Sequence, residues 1–261
     1  MHAASTKLDG KTIMITGAYG GLGAAMAKNF ADRGCRLALV GRNEAKLSAL
    51  ASTLKTESIT LKADVSEERD CENAFQVAVE KFGKIDIVIN NAAVWEAARM
   101  LDIDGKLIQE IYSSNVFSVL TFSRLAIEHF KRQSGGTLVN IASISGLRFR
   151  DRYFVYSSSK HAVVGFTGSI AHALENENIR VFCFCPESIK TGIYDRDFDK
   201  VKDAYAAFID AGHAARHLLK ALESQSTGWL LVLARSQRTL DEAINEEKYV
   251  LDAMLRGNAC F

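Results

Sequence analysis

The sequence predicts an α/β fold, a doubly wound parallel sheet of seven strands with helices on both faces. Three observations predict it. Short apolar runs alternate with longer stretches of helical periodicity, the runs are apolar throughout, and a glycine-rich turn joins the first run to the first helical stretch. Strands apolar throughout are typical of sheets covered on both faces. The expected strands are residues 11–17, 36–42, 58–65, 85–91, 136–143, 180–186 and 228–234.

Composition narrows the class of protein. The 261 residues are 48% hydrophobic, which suffices for one sizeable core. The charges are interspersed and nearly balanced, with 32 basic and 31 acidic residues, which argues against a nucleic-acid surface. No apolar run reaches 18 residues, so we expect no transmembrane helix and no membrane association. The N-terminus lacks the apolar centre of a signal peptide, and the scattered cysteines suggest a reducing cytoplasm without a metal site.

Between the strands, periodicity predicts the helices and no linker. Residues 22–33 form the first expected helix, and Ser66 is the expected N-cap of a helix ending near Gly83. No repeat, low-complexity tract or Pro-rich linker interrupts the chain. We therefore predict a single domain over residues 1–261. Residues 235–261 are expected to form a C-terminal helical extension, with a capping box at Thr239 and Glu242.

A glycine-rich turn, "TGAYGGLG" at residues 16–23, follows the first strand and opens the first helix. Its glycines, Gly17, Gly21 and Gly23, permit a tight turn and a close approach to a pyrophosphate. The helix N-terminus adds free N–H groups and the positive end of the dipole. This position predicts a dinucleotide site, although such a turn could also only pack helix on strand.

The end of the second strand bears on the choice of cofactor. It reads "LVGRN", where an acidic side chain would hold the adenosine ribose hydroxyls and select NAD. Gly41 and Arg42 stand there instead. An arginine can pair with a 2′-phosphate in a bidentate manner, so we predict NADP, with NAD less favoured. Arg42 could alternatively be a solvated surface residue.

The segment "YSSSK" places Tyr156 one helical turn before Lys160. An ordinary tyrosine is a poor acid or base at neutral pH. A neighbouring ammonium favours the phenolate, which brings the tyrosine toward the working range. This spacing is common by chance, however, so the pair alone proves little.

The order of six motifs decides the interpretation. "TGAYGGLG", "NNAA" at 90–93, Ser114–Asn115, "NIASISG" at 140–146, "YSSSK" at 156–160 and "CPESIKT" at 185–191 follow one another, with Ser143 thirteen residues before Tyr156. Together they resemble the short-chain dehydrogenase/reductase family, a family of Rossmann-like NAD(P)-binding enzymes. The resemblance covers about residues 8–233.

That resemblance implies a role for each motif residue. Tyr156 would donate a proton to a carbonyl oxygen, or accept one in reverse, and Ser143 would stabilise the charge developing on that oxygen. Lys160 would hold the nicotinamide ribose and lower the pKa of Tyr156. Asn115 would hold a water that links Lys160 to solvent. The expected cofactor residues are Gly17, Tyr19, Gly21, Leu22, Gly23, Arg42, Asn43, Asp64, Val65, Asn91, Ala92, Ala93, Tyr156, Lys160, Pro186, Ile189 and Thr191.

Three departures from the family pattern stand out. Ala93 replaces the usual glycine of "NNAG" and adds only a methyl group. Glu187 replaces the glycine that usually follows the proline of the sixth strand, so it could contact a cationic or hydroxylated substrate, shift the backbone or point to solvent. The C-terminal extension could pack on its own subunit, form a subunit contact or cover the substrate cleft.

Substrate residues should come from loops at the carboxyl ends of the strands. The expected residues are Trp95, Ser143, Leu147, Tyr153, Tyr156, Glu187 and Tyr194, with Val94, Ile144, Phe149 and Ile193 as further candidates. We expect Tyr153 to line the pocket rather than perform chemistry. The arginines at 148, 150 and 152 could bind an anionic substrate group, or form a solvated loop or a subunit contact.

The sequence thus predicts an NADP(H)-dependent oxidoreductase that acts on a small-molecule carbonyl or alcohol. The family resemblance implies a homodimer or homotetramer. Two alternatives stay open: a non-catalytic NADP(H)-binding sensor or scaffold, and the same enzyme class using NAD.

Overall fold

The computed structural model describes residues 7–149, 152–224 and 228–234. These residues form one domain around a seven-stranded parallel sheet, which confirms the predicted fold class. In spatial order the sheet runs β3-β2-β1-β4-β5-β6-β7. The strands are β1 (Thr12–Thr16), β2 (Arg36–Gly41), β3 (Ser58–Lys62), β4 (Ile87–Asn90), β5 (Gly136–Ile141), β6 (Ile179–Pro186) and β7 (Leu230–Leu233).

Helices cover both faces of this sheet. They are α1 (Gly21–Ala31), α2 (Glu44–Ala51), α3 (Glu68–Phe82), α4 (Gly105–Tyr112), α5 (Ser118–Arg132), α6 (Phe154–Ala173), α7 (Lys202–Tyr205) and α8 (Ala211–Glu223). One apolar core packs α1, α2 and α8 against the sheet, and a second packs α3, α5 and the end of α6 against the other face. Such double coverage explains why the strands are apolar throughout.

The order of the strands reverses at β1, which pairs with β2 on one side and β4 on the other. Crossovers leave β1 and β4 toward opposite faces, so a crevice opens at the carboxyl ends of these strands. The glycine-rich turn lies at this point, between β1 and α1. The topology therefore places the predicted dinucleotide site at the sheet's switch point.

Local details differ from expectation at one helix end. Ser66 does not cap α3, which begins at Glu68 with Glu67 as its N-cap. Instead, Oδ1 of Asp64 accepts hydrogen bonds from both the backbone N–H (3.0 Å) and the hydroxyl (2.7 Å) of Ser66. Asp64 thus holds Ser66 in a local turn. Such local hydrogen bonds of Asp and Ser commonly compete with the helix for the same backbone groups.

Some of the sequence-based expectations concern residues that the structure does not describe. The C-terminal extension at 235–261, Arg150 and the last cysteine, Cys260, lie outside the described residues. Cys35, Cys71, Cys183 and Cys185 are buried free thiols, as expected for small core side chains. Within the described ranges, no helix has the length and apolar character needed to cross a bilayer.

Candidate active site

A cleft of about 630 Å³ lies along the carboxyl ends of β1 to β6. It runs from Arg42 at one end, past the glycine-rich turn, to Tyr156 and the segment after β6. Nearly all of the predicted cofactor residues line it: Gly17, Tyr19, Gly21, Leu22, Gly23, Arg42, Asp64, Val65, Asn91, Ala92, Ala93, Tyr156, Lys160, Pro186, Ile189 and Thr191. Ser114 and Ser143 line it as well, so the cleft brings together residues from all six motifs.

The glycine-rich turn forms a cradle, and side chains in place of its glycines would not fit. Gly17 has φ of 63°, and a Cβ there would lie 2.8 Å from the Cα of Ala92. A Cβ on Gly21 would lie 2.8 Å from Cγ2 of Thr191, and one on Gly23 would overlap the carbonyl of Gly17. No described side chain caps the start of α1, so its first N–H groups are available to an anion. These residues fit a dinucleotide pyrophosphate.

The end of the cleft at Arg42 carries basic groups. No acidic residue stands at the end of β2, where Gly41 is found. A Cβ on Gly41 would lie 2.7 Å from the ring of Tyr19, so the ring occupies the space of a larger side chain. Nη1 of Arg42 lies 3.9 Å from Oδ2 of Asp64, and Nζ of Lys46 lies 5.7 Å from the centre of the Tyr19 ring. Lys46, which sequence reasoning missed, lines the cleft beside Arg42.

The loop after β4 is tied directly to the glycine-rich turn. The hydroxyl of Thr16 accepts hydrogen bonds from the backbone N–H groups of Asn91 (2.9 Å) and Ala92 (3.0 Å). The amide of Asn91 donates to the carbonyls of Thr16 (2.9 Å) and Gly17 (3.1 Å). The two cofactor loops therefore form one rigid unit. A methyl group at Ala93 is compatible with this arrangement, since Ala93 lines the cleft.

Three of the four predicted catalytic side chains converge at the middle of the cleft. Ser143 lies just after β5, Tyr156 in the first turn of α6, and Lys160 one turn later. The Ser143 hydroxyl lies near the phenol of Tyr156 and favours its ionised form. Nζ of Lys160 donates to the carbonyl of Ile141 at 2.9 Å and lies 5.6 Å from the centre of the Tyr156 ring. This group of side chains can hold and exchange a proton.

Burial governs the proton affinities of this group. Desolvation raises the pKa of Tyr156 above its usual value, and the nearby Ser143 hydroxyl opposes that shift. Desolvation also lowers the pKa of Lys160 from 10.5 to about 8. A buried lysine with a weakened hold on its proton can exchange that proton near neutral pH, as acid–base chemistry requires.

The fourth residue, Asn115, lies behind the cleft. It sits in a π-helical turn, Ser113–Phe117, between α4 and α5 and is fully buried. Its Oδ1 accepts from the Val94 N–H at 2.8 Å, and its Nδ2 donates to the Val94 carbonyl (2.9 Å) and the Ser159 hydroxyl (3.1 Å). The side chain is thus engaged with protein groups and joins the β4 loop to α6. Such π turns frequently occur at functional sites.

Aromatic rings form the wall of the cleft beyond Tyr156. The Trp95 ring lies 5.1 Å from that of Tyr153 and 5.0 Å from that of Tyr194, between ring centres. Tyr194 also packs on Phe208 at 5.3 Å. Glu187 is nearly buried, at 7% exposure, and lines the same region with Ser188. The predicted substrate residues Trp95, Ser143, Tyr153, Tyr156, Glu187 and Tyr194 therefore share one cavity.

Besides Asn115, two predicted site residues do not line the cleft. Leu147, expected to contact substrate, is 1% exposed and packs in a core cluster with Val163 and Val164. The short 3₁₀ turn at Ile144–Gly146 directs it inward. Asn43, expected to contact cofactor, instead caps α2 by accepting from the Lys46 N–H at 2.9 Å.

Other candidates also fall outside the site, and some lining residues were not foreseen. Of the further substrate candidates, Val94 and Ile193 line the cleft, whereas Ile144 is buried behind it and Phe149 is 75% exposed. Ser145, Ser188 and Phe208 line the cleft without having been predicted. Their proximity depends on how the loops fold, and no local pattern marks it.

Comparison with known proteins shows the family to which this chain belongs. The sequence model described as "short chain dehydrogenase" matches residues 11–202. A diacetyl reductase [(S)-acetoin forming] of Staphylococcus epidermidis is 35% identical over 211 residues, which are 76% of this chain and 82% of the relative. A 3beta-hydroxysteroid dehydrogenase 2 of Eggerthella lenta is 33% identical over 191 residues, 71% of this chain and 74% of the relative.

A solved structure shows the same fold. The 3-ketoacyl-(acyl-carrier-protein) reductase from Brucella melitensis, complexed with NADH, superposes with a TM-score of 0.80 at 30% identity. The alignment covers 87% of this chain and 97% of that one. The chain therefore belongs to the short-chain dehydrogenase/reductase family, and it is an NAD(P)-dependent oxidoreductase of that class.

Proposed function

We propose that this protein transfers hydride between NADP(H) and a carbonyl or alcohol substrate, with Tyr156 as the general acid or base. The observation that carries the proposal is the proximity of Ser143 and Lys160 to Tyr156, in the same cleft as the glycine-rich cradle. A binding protein has no need of a buried lysine next to a buried phenol. This favours an enzyme over a non-catalytic sensor or scaffold.

The chain's own residues divide the work of carbonyl reduction. Ser143 holds the substrate oxygen, and the Tyr156 hydroxyl donates its proton to that oxygen as negative charge develops. Lys160 stabilises the phenolate that remains, and its weakened hold on its own proton helps to restore the phenol. When bound, NADPH supplies the hydride. In alcohol oxidation the same groups act in reverse.

The cofactor preference rests on the end of β2. Arg42 and Lys46 place two positive charges beside Gly41, where a carboxylate would repel a 2′-phosphate. We therefore favour NADP over NAD. A preference for NAD is the alternative, because the solved relative is bound to NADH. Arg42→Ala should weaken NADPH binding at least 10-fold and leave NADH binding within about 2-fold, since a bidentate phosphate pair contributes ~1.5–3 kcal/mol. Fluorescence titration of both cofactors measures this, and equal losses would favour NAD.

The aromatic wall suggests the kind of substrate. Trp95, Tyr153 and Tyr194 present flat apolar surfaces beside the proton donor, while Glu187 adds a polar group that can accept a hydrogen bond. We propose a substrate with an apolar or cyclic body and a second polar group near the reacting carbon. Diketones and hydroxysteroids, as named for the two curated relatives, are the first compounds to test.

We further propose that the protein acts as a homodimer or homotetramer in the cytoplasm. Ile108, Phe117 and Leu120 expose apolar side chains on α4, α5 and the turn between them. Such a surface can be covered by a second copy of the chain. Light scattering of the purified protein tests the assembly, and a monomer at micromolar concentration would contradict it.

One experiment tests the central proposal. The protein is incubated with NADPH and a panel of diketones, cyclic ketones, steroid ketones and aldehydes, and oxidation of NADPH is followed by absorbance. We expect turnover with at least one compound and at least a 10³-fold loss of kcat in Tyr156→Phe. Tight NADPH binding without turnover across the panel would favour the sensor, and full activity of Tyr156→Phe would remove Tyr156 from its assigned role.

A further inference from the structure

A buried carboxyl group, Glu96, lies against the start of the helix that carries Tyr156. It belongs to the loop after β4 and is 2% exposed. Its Oε2 accepts a hydrogen bond from the backbone N–H of Tyr156 at 3.0 Å, across 60 residues of sequence. The nearby backbone N–H of Val155 also favours the ionised carboxylate. These are first-turn donors, which lack acceptors inside a helix.

This end of α6 depends on the distant carboxylate. Tyr153, the N-cap residue, has φ of 58° and ψ of 45°, a left-handed conformation that is unfavourable for a bulky side chain. Its own side chain forms no capping hydrogen bond with the described residues. Glu96 supplies the cap and also complements the positive end of the helix dipole. Without it, the backbone N–H of Tyr156, the proposed acid, would have no partner in the described structure.

The same loop is attached to α6 at a second point. Asn115 holds both backbone polar groups of Val94 and also bonds Ser159, one turn after Tyr156. Glu96 holds the turn that contains Tyr156 itself. The segment 94–96 is therefore bonded to α6 on either side of the proposed acid, directly through Glu96 and indirectly through Asn115. Trp95, between the two anchors, is thereby fixed against Tyr153.

We propose that Glu96 is a positioning residue for Tyr156: its carboxylate fixes the first turn of α6, and its negative charge opposes ionisation of the Tyr156 phenol. The inference rests on the proposed function, in which Tyr156 transfers the proton. It goes further because it assigns a role to a residue that does not line the cleft and belongs to none of the six motifs.

Charge and burial agree with this role. Desolvation raises the pKa of Glu96 to about 7, against the opposing effect of its backbone hydrogen bonds, and Asp197 adds to the rise. Oε1 of Glu96 has no hydrogen-bond partner among the described residues. A buried carboxyl with one unsatisfied oxygen is a costly way to cap a helix. The cost indicates that the charge itself has a use.

The charged and titratable groups around Glu96 come from two other elements. Asp197, in the 3₁₀ segment Gly192–Lys200, bonds the neighbouring Ala97 N–H at 3.2 Å. Lys200 pairs with Asp197 at 3.0 Å and donates to the Ala97 carbonyl at 3.0 Å, which moderates that negative charge. From α6, Tyr156 faces the group, and ionised Glu96 contributes to the raised pKa of its phenol after burial and the Tyr194 contact.

The test compares the pH dependence of kcat/KM for alcohol oxidation in wild type and Glu96→Gln. Glutamine keeps an acceptor oxygen and removes the charge. We expect the alkaline midpoint, which reports Tyr156 in its phenolate form, to move to lower pH by about 0.5–1 unit. Any inflection near pH 7 from Glu96 should disappear. Affinity for NADPH, measured by fluorescence titration, should stay within about 2-fold, because Glu96 does not line the cleft.

A second variant tests the positioning role. Glu96→Ala should lower kcat at least 10-fold and speed amide hydrogen exchange at residues 154–160, because the first turn loses its cap. Asp104→Ala is the matched control: Asp104 caps a different helix, α4, by accepting from the Leu107 N–H at 2.8 Å. It should leave the pH profile unchanged.

The outcomes separate this inference from the proposed function. If Tyr156→Phe keeps its activity, the proposed function fails. If Tyr156→Phe is inactive but Glu96→Gln shows the wild-type pH profile, the electrostatic role of Glu96 is overturned. Equal hydrogen exchange at residues 154–160 in Glu96→Ala and wild type would overturn the positioning role. Should the alanine variant fail to fold, the profile of Glu96→Gln decides.

Discussion

Lys160 is a charged side chain held where charge is costly. It is 2% exposed, and burial lowers its pKa from 10.5 to about 8. Its one described hydrogen bond goes to the carbonyl of Ile141. The fold therefore holds an ammonium group in an unfavourable environment at the point where proton transfer is proposed. Such sites commonly exchange stability for activity.

We predict that Lys160→Met stabilises the cofactor-free protein and abolishes turnover. A pKa depressed by about 2.5 units corresponds to ~3 kcal/mol, of which the orphaned Ile141 carbonyl should offset a part. Below pH 8 the wild type carries the full cost of charging Lys160. That cost fades as pH rises toward 10.5, where the unfolded chain also loses the proton. The stability gain should therefore be largest at neutral pH and vanish near pH 10.5.

Urea unfolding at several pH values measures this gain. Lys220→Met, at an exposed position on α8, is the control and should change the free energy of unfolding little. A methionine variant less stable than wild type at pH 7 would contradict the cost assigned to the buried ammonium.

Gly41 is the residue at which we expect a substitution to change the proposed preference for NADP. A Cβ there would lie 2.7 Å from the Tyr19 ring, and an added carboxylate would repel a 2′-phosphate beside Arg42. We predict that Gly41→Asp weakens NADPH binding at least 10-fold and improves the relative binding of NADH. Fluorescence titration checks it, with Gly105→Asp, where a Cβ meets open space, as the control. Unchanged NADPH affinity would refute the proposal that the 2′-phosphate binds at the end of β2.

At the scale of elements, the contact between the 3₁₀ turn after β5 and helix α6 positions the reacting groups. That turn, Ile144–Gly146, follows Ser143, and α6 carries Tyr156 and Lys160. Gly146 allows the two backbones to approach: a Cβ there would lie 2.5 Å from the carbonyl oxygen of Lys160. The distance between Ser143 and Tyr156 therefore depends on the absence of a side chain at this position.

We predict that Gly146→Ala lowers kcat at least 10-fold and destabilises the fold by ~1–3 kcal/mol, because α6 must move away from Ser143. Gly165→Ala is the matched control on the same helix, since a Cβ there meets no atom within 4 Å. The control should stabilise the protein by up to ~1 kcal/mol, as alanine favours helix over glycine. Steady-state kinetics and urea unfolding of both variants test this, and similar kcat values would contradict the packing argument.

For the whole molecule, the cleft joins loops from six strands, so cofactor binding should tighten the entire domain. A ligand that binds only the folded state adds RT ln(1 + [L]/Kd), ~2.7 kcal/mol at 100 times Kd. We predict that NADPH raises the thermal midpoint more than NADH at equal concentration. Differential scanning fluorimetry measures both shifts, with Arg42→Ala expected to reduce the NADPH shift alone. An equal or larger shift with NADH would favour NAD.

Much of this molecule follows from local patterns. The seven strands are apolar runs, so their existence and type could be predicted, with ends displaced by a few residues. Gly17, Gly21 and Gly23 could be identified because a phosphate cradle needs glycine at fixed spacing. Tyr156 and Ser143 could be paired through their constant separation in the family. The family itself follows from the order of the motifs.

Other residues could not be placed in this way, because their roles arise from contacts between distant segments. Leu147 has an apolar side chain compatible with either cleft or core, and only the turn after β5 decides that it packs inward. Lys46 lies in the first turn of α2, and its approach to Tyr19 depends on the packing of two loops. Asn43 could contact a cofactor or cap a helix, and the backbone of α2 selects the cap.

The sequence by itself determined the fold class and the family and supplied the residues proposed for the chemistry, because each rests on periodicity or on spacing along the chain. Only the tertiary structure decided which groups meet. The hydrogen bond from the Tyr156 N–H to Glu96 spans 60 residues, and it exists because β4 and β5 are neighbours in the sheet, which brings the loop after β4 against the start of α6. The burial that shifts the proton affinities of Glu96, Tyr156 and Lys160 has the same origin, since it is the folded chain that removes water from all three groups.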